Sequence, residues 1–377
     1  MKKKIVFLTG TRADFGKLKS LMLKVQACAH LDLHVFATGM HLNPRYGGTV
    51  HEVQKCGFEN IYSYINHTDN LPMDQTLSNT IAGFSNYVRL NPPDLIVIHG
   101  DRVEALAGAL VGALNNILVA HIEGGEVSGT IDESIRHAIS KLSHTHFVAN
   151  TTAAQRLLQM GEGTENIWEL GSPDADIMLS DSLPLLDDAK ERYEIGFERY
   201  SLLIYHPVTT EIEHAYENVR QVAQAAVGSG DNFVVIYPNN DTGSDFILNK
   251  YRELEFHPRF RVFPSIRFEH FLTLLKNADY ILGNSSCGIH EAPYYAIPTI
   301  NVGSRQQGRA LNTDILHCDY DKAEILSSIS RARKNVLKPL KLNGNGNSAT
   351  RFVEIISEPS FWQAPKQKLF IDLPKVA

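Results

Sequence analysis

The sequence predicts an α/β protein of two Rossmann-like domains with a cleft between them. Short Val/Ile/Leu-rich runs alternate with helical patterns through both halves of the chain. Such runs, with little polar alternation, mean strands buried on both faces, as in parallel sheets covered by helices. The 377 residues also exceed what one hydrophobic core usually covers. Finally, a Pro-, Ser- and Asp-rich stretch without a strand-like run, GSPDADIMLSDSLPLLDDAK from Gly171, reads as the crossing between domains. The expected division is 1–175 and 176–355, with a tail, 356–377, packed on the first domain.

The elements follow in order. MKKKIVFLTGTR has three lysines and then an apolar run of about five residues with no small-residue cleavage site, so it reads as a first strand rather than a secretion signal. LHVFATG, DLIVIHG, ILVAHIEG and THFVAN supply the other strands of the first half. The longest apolar stretch, Ala105 to Ala120, is broken by glycines and by Asn115 and Asn116 and is too short to span a bilayer. It reads as a small-residue helix, a turn and a strand. SLLIYHP, FVVIYP, RFRVFP, YILGNSS and PTINVG repeat the pattern in the second half. A helical segment then leads to SEPSFWQAPKQKLFID, whose Phe361, Trp362, Leu369 and Phe370 can anchor a tail or simply cap a domain.

Composition narrows the function. Apolar content of 43% and charged content of 21% are those of a soluble globular protein. A formal charge of -6 argues against a nucleic-acid or membrane partner. Cys28, Cys56, Cys287 and Cys318 lie far apart, which fits a reducing cytoplasm and neither a zinc cage nor a disulfide framework. No set of metal-ligand spacing is evident, so no metal and no cofactor are expected.

The conspicuous polar clusters fall where strands end, which is where open α/β sheets bind ligands. LTGTRADFGKL puts Gly10, Thr11, Arg12 and Asp14 at the first strand-to-helix turn. It has no GxGxxG, and a short turn with an Arg suits one phosphorylated or nucleotide ligand rather than a dinucleotide. Arg12 fits a surface ion pair equally well. IHGDR brings Asp101 and Arg102 to another strand end, and AHIEGGE brings Glu123 to the next. HIEGGEVSGTIDESIRH packs Glu123, Glu126, Asp132 and Glu133 around a single cation, Arg136. Asp132 fits a first-turn acid favoured by the helix dipole. With Asp101 and Glu123 it also makes three carboxylates at one mouth, where like charges raise one another's pKa values and suit acid/base catalysis. In the second half, YILGNSSCGIHEAP offers Asn284, Ser285 and Ser286 as an anion cradle at a helix start and Glu291 for the hydroxyls of a ribose. PTINVGSRQQGR carries Arg305, while HPVTTE with His206 and YPNNDTGS with Asn239 end two more strands. For His206, a structural hydrogen bond and a ligand contact both remain open.

Taken together, GTRADFGKL, HGDR, HIEGGEVSGTIDESIRH, GSPD, HPVTTE, PNNDTG, PSIRFEHFL, GNSSCGIHEAP and VGSRQQGR resemble the hydrolysing UDP-N-acetylglucosamine 2-epimerases of sialic acid synthesis. The motifs run in order from about residue 5 to residue 320. The resemblance implies a two-domain fold of glycosyltransferase-B type. It also implies catalytic roles for Asp101, Glu123 and Asp132, a diphosphate site at Ser285 and Ser286, and a ribose site at Glu291. His206, Asn239 and Arg305 would lie near the diphosphate and sugar, Arg12 and Arg102 at the cleft, and Asp14, His41 and Arg267 would complete the substrate-binding set. His290 departs from the animal members, which carry Arg there. The implied partner is a UDP-sugar, the implied assembly a homodimer or homotetramer, and the implied reaction elimination of UDP to a 2-acetamidoglucal followed by hydration. Three rivals share these motifs in part: a non-hydrolysing 2-epimerase, a glycosyltransferase and a non-catalytic nucleotide-sugar binder. A 4-acetamido-4,6-dideoxy sugar is the alternative substrate.

Overall fold

A computed structural model of the chain describes residues 2–66, 71–128, 130–306, 314–341 and 344–372. The chain divides into two units. Met1–Glu126, Asp132–Ser180 and Asn343–Ala377 form the first, and Val127–Ile131 with Asp181–Leu342 form the second.

The strands of the first unit are β1 (Lys3–Thr9), β2 (Leu31–Ala37), β3 (Asn60–Ser63), β4 (Leu95–His99), β5 (Leu118–Ile122), β6 (Thr145–Val148) and β7 (Ile167–Glu169). They form one sheet in the order β3-β2-β1-β4-β5-β6-β7, and every pairing is parallel. Lys3 of β1 stands opposite Leu31 of β2, and Ile5 opposite Leu95 of β4. Consecutive residues of β1 serve opposite faces. Ile5 and Phe7 pack with Leu18, Met22 and Val25 of the helix Arg12–Gln26, whereas Val6 and Leu8 pack with Phe84 and Val88 of the helix Met73–Leu90. Burial on both faces is why these strands read as unbroken apolar runs. The expected small-residue helix is Val103–Leu114. It lies so close to the sheet that a Cβ on Gly112 would stand 2.2 Å from Val119 Cγ2.

The chain returns to the first unit earlier than the expected boundary at residue 355. That boundary falls inside the helix Ser348–Ser357, whose Phe352 is fully buried against Phe147 (4.9 Å between ring centroids) and Phe7 (6.2 Å). Asp176 accepts the N–H groups of Ser348 and Ala349 at 2.9 and 2.8 Å, which caps this helix from within the same unit. In the tail Phe361 is buried, but Leu369 and Phe370 are 79% and 90% exposed, so they do not anchor it. Residues 373–377 of the expected tail lie outside the described residues.

The second unit repeats the plan with β8 (Ser201–Ile204), β9 (Phe233–Ile236), β10 (Phe260–Phe263), β11 (Ile281–Gly283), β12 (Thr299–Val302) and β13 (Leu316–Cys318). The order is β10-β9-β8-β11-β12-β13, again all parallel. Leu203, Val235, Leu282 and Ile300 meet Val219 and Val222 of the helix Ala215–Ser229 and Ile325 and Ile329 of the helix Lys322–Ala332. Strand order reverses between β1 and β4 in the first sheet and between β8 and β11 in the second. These are the switch points beyond whose carboxyl ends open sheets bind ligands. Among the described residues, no helix is long and apolar enough to cross a membrane.

Candidate active site

In the first unit the polar residues after β4 and β5 are organised by the helix Ile131–Leu142. Arg136, on its buried face, donates through Nη2 to Asp101 Oδ2 at 2.5 Å and through Nη1 to the Glu123 carbonyl at 2.6 Å. One guanidinium therefore holds the carboxylate of Asp101 and the main chain of Glu123, and its planar fork fits that geometry. Asp132 is buried and lies four residues before Arg136, hence on the same face of the helix. Burial works against the charge of Arg136, but Asp101, Glu126 and Glu123 outweigh it and raise its pKa.

Glu123 itself has φ +59°, the left-handed region that a residue with a Cβ rarely adopts. Its N–H donates to the Phe147 carbonyl at 2.8 Å, which holds the peptide in that turn. The side chain is surrounded by donors: His99 Nε2 at 3.0 Å, Ser172 Oγ at 2.5 Å and Lys17 Nζ at 3.5 Å. Lys17 also pairs with buried Asp174 at 2.7 Å. His99 and Ser172 lie inside HGDR and GSPD, so the motifs contained them although sequence reasoning assigned them no part. Lys17 and Asp174 had no signal beyond their presence in GTRADFGKL and GSPD.

Asp14 and His41 are committed to the fold of the first turn. Asp14 takes the Gly10 and Thr11 N–H groups at 2.9 and 3.1 Å and the Thr9 hydroxyl at 2.5 Å, closing a capping box with Thr11. Burial nevertheless raises its pKa, the hydrogen bonds from Thr9, Gly10 and Thr11 opposing. His41 is fully buried, with Nε2 2.9 Å from Thr9 Oγ1 and Nδ1 2.7 Å from Thr49 Oγ1. Thr9 gives its proton to Asp14, so His41 Nε2 donates to Thr9 and Nδ1 accepts from Thr49. That is a neutral ring, and burial, with Arg12 nearby, holds its pKa down to about 3. Both ring nitrogens are used within the unit, by Thr9 and Thr49. Arg12 opens the helix Arg12–Gln26 with Nη2 3.8 Å from Glu52. Arg102 caps the helix Val103–Leu114, with Nε 4.0 Å from buried Glu104.

In the second unit the turns after β8, β9, β11 and β12 are tied together by Asn284 and His206. Its side chain accepts the His206 N–H at 2.6 Å and donates to the His206 carbonyl at 2.9 Å. Its own carbonyl accepts from Gln306 Nε2 at 2.8 Å and Arg305 Nη1 at 3.4 Å. Gly283 makes this approach possible: at φ +136°, a Cβ there would stand 2.0 Å from the Ile204 carbonyl oxygen. The Asn239 N–H donates to His206 Nδ1 at 2.9 Å, which puts the hydrogen of the neutral ring on Nε2. Asn239 Nδ2 donates to Asp241. Ser285 Oγ accepts the Cys287 N–H at 3.4 Å, and Ser286 caps the helix Cys287–His290. That helix is four residues long, so this turn presents hydroxyls and N–H groups rather than a macrodipole. Glu291 follows directly and is buried, as is Arg305. Arg267 is the more exposed member, paired through Nε with Glu269 at 3.2 Å while its N–H donates to the Tyr193 hydroxyl at 2.9 Å. The last three residues of VGSRQQGR lie outside the described residues. Among the described residues, no three His, Cys, Asp or Glu side chains are grouped so as to hold a metal ion.

The profile of the UDP-N-acetylglucosamine 2-epimerase family matches residues 23–357. The UDP-N-acetylglucosamine 2-epimerase of Neisseria meningitidis serogroup B is 47% identical over 375 residues, covering 98% of this chain and 99% of that protein. The hydrolysing UDP-N,N'-diacetylbacillosamine 2-epimerase of Legionella pneumophila is 35% identical, covering 94% and 96%. The crystal structure of the Methanocaldococcus jannaschii UDP-GlcNAc 2-epimerase in complex with UDP-GlcNAc and UDP superposes with a TM-score of 0.80 at 20% identity, covering 94% and 99%, a likeness of fold.

Proposed function

The chain belongs to the UDP-N-acetylglucosamine 2-epimerase family, and from that premise we propose that it is the hydrolysing kind, converting UDP-N-acetylglucosamine and water to free N-acetylmannosamine and UDP. The observation that carries the reading is the Arg136 fork, which joins Asp101 to the Glu123 main chain on the helix face that also bears Asp132. The hydrolysing branch is favoured by HIEGGEVSG and HPVTTE and by the Legionella relative, whose name carries that activity.

The chemistry divides into two steps. One of Asp101, Glu123 and Asp132 takes the C2 proton while the C1–O bond breaks and UDP leaves with the electron pair, giving the 2-acetamidoglucal. A proton then returns to C2 from the opposite face, and water adds to C1, losing its own proton to a carboxylate. The C2–H is weakly acidic, so a positioned base must act while the departing diphosphate is stabilised. Glu123, ringed by His99, Ser172 and Lys17, is held in one orientation for such a step. In the second unit Ser285, Ser286 and Arg305 take the diphosphate, Glu291 the ribose hydroxyls, and His206 donates through Nε2. No cofactor is called for, and free N-acetylmannosamine would feed sialic acid synthesis.

Separating the products by anion exchange tests the reading. Free N-acetylmannosamine appearing with equimolar UDP supports it, and a product still joined to UDP selects the non-hydrolysing rival. A second reading, a UDP-2,4-diacetamido-2,4,6-trideoxyhexose as substrate, is favoured by the Legionella relative. It wins if that sugar nucleotide is turned over and UDP-N-acetylglucosamine is not.

A further inference from the structure

The helix that carries Asp132 and Arg136 is clamped at its other end by the C-terminal tail. Lys368 Nζ donates to the carbonyls of Ser140 and Ser143 at 3.2 and 2.7 Å and to Glu162 Oε2 at 2.5 Å. The last carbonyls of a helix have no partner within it, and a cation there meets the negative end of the dipole. Glu162 is held in turn by Lys141 at 2.7 Å and His146 Nε2 at 3.0 Å. Burial opposes its charge, but these three donors bring its pKa down to about 2. A second tether lies two residues earlier. His144 Nδ1 accepts the Val119 N–H at 3.1 Å, so its Nε2 carries the hydrogen and donates to the Lys366 carbonyl, also at 3.1 Å.

Two paths lead from this clamp to the acids. The first is the helix itself, where Asp132, Arg136 and Ser140 recur every four residues along the buried face. The second is a hydrogen-bond chain. His121 Nε2 donates to the Gly100 carbonyl at 2.8 Å, so its Nδ1 accepts from Ser140 Oγ at 3.2 Å. Gly100 is the residue before Asp101, and burial with Arg136 nearby pushes the His121 pKa well below its ordinary value, in keeping with that neutral ring.

We propose that Lys368 is a positioning residue for the reaction. By capping the helix Ile131–Leu142 it fixes the axial placement of Arg136, and through Arg136 that of Asp101 and the Glu123 peptide. This rests on the reading of Asp101, Glu123 and Asp132 as the catalytic acids.

The test uses the full chain. Lys368→Met keeps the apolar stem and removes the ammonium. It should lower kcat about tenfold, leave KM and UDP affinity within about twofold, and leave the protein folded at the assay temperature. Lys368→Arg should recover most of the rate. A Glu162→Gln/Lys368→Met double variant removes the anion together with the cation. It should stay slow, because the Ser140 and Ser143 carbonyls still lack their cap. A Lys368→Met enzyme with wild-type kcat, or a double variant that regains it, overturns the proposal. A wild-type enzyme inert toward UDP-sugars would remove the catalytic reading and this proposal together, and so is told apart from failure of the proposal alone.

Discussion

Replacing Arg136 by Met removes a side chain that is 5% exposed and makes two charge-assisted hydrogen bonds, to Asp101 at 2.5 Å and to the Glu123 carbonyl at 2.6 Å. Taking one partner from a buried ion pair costs about 3–5 kcal/mol. The Asp101 side chain is 20% exposed, so water recovers part of that. The expected loss is about 2–4 kcal/mol. With a urea dependence of about 2–3 kcal/mol per molar for a domain of this size, the unfolding midpoint should fall by about 1 M. The assay is at hand in the chain's two tryptophans, Trp168 and Trp362, which both belong to the first unit, so intrinsic fluorescence reads that unit. On the proposed roles of Asp101 and Glu123, the same guanidinium places one carboxylate and the peptide of the other, and kcat should fall on the order of 10²–10³-fold. Arg136→Lys keeps the charge but not the fork and should recover only part of either loss. An unchanged midpoint in Arg136→Met, together with kcat within about threefold of wild type, refutes the organising role of the fork.

Asp101→Asn, Glu123→Gln and Asp132→Asn should each give a wild-type circular dichroism spectrum and lose turnover on the order of 10²–10⁴-fold; near wild-type rates in all three would dismiss them as catalytic. Glu291→Ala should weaken UDP about tenfold in calorimetry, as expected for a lost hydrogen bond to a charged group, and unchanged affinity removes the ribose role. His41 has its folded pKa held down to about 3, below the unfolded value. Its contribution is therefore complete above about pH 6.5 and is lost as pH falls toward 3. Between pH 6.5 and 5 the wild type should lose about 2 kcal/mol more than His41→Gln does, and parallel urea midpoints for the two proteins across that range would contradict a neutral buried ring.

Much of the fold is legible because the sheets are covered on both faces. KIVFLTG, DLIVIHG and ILVAHIEG need no alternation, since residues such as Ile5 and Val6 are buried on opposite sides of one sheet. Three of the edge strands are not legible, although RFRVFP, at the other edge of the second sheet, is. Asn60–Ser63, Ile167–Glu169 and Leu316–Cys318 are short and only partly buried, so neither pattern nor propensity marks them. The helix Ser348–Ser357 shows its apolar stripe in the sequence, but a stripe does not say which sheet it will cover. Behind GNSS, a single turn is followed by Pro293 and a left-handed Ala296, so the chain leaves the helix sooner than the Ser-Ser-Cys pattern suggests. At the site, strand-end motifs bring the acids within reach of notice, because topology sends all strand ends to one side of a parallel sheet. What escapes is direction. That Asp14 turns inward to Thr9, that His41 meets Thr49, and that Arg136 grips Asp101 are pairings across the chain that residue type alone does not contain.

The most direct measurement is the reaction run in D₂O and, separately, in H₂¹⁸O with UDP-N-acetylglucosamine, with products followed by proton NMR and mass spectrometry. If a carboxylate removes the C2 proton and a solvent-exchanged acid returns one from the opposite face, the N-acetylmannosamine formed carries deuterium at C2. If water adds to C1, early samples carry ¹⁸O at C1, before the anomeric oxygen of the free sugar exchanges, and UDP accumulates in step. A product whose C2 keeps its original hydrogen, or whose C1 is still bonded to UDP, would contradict elimination followed by hydration at these acids.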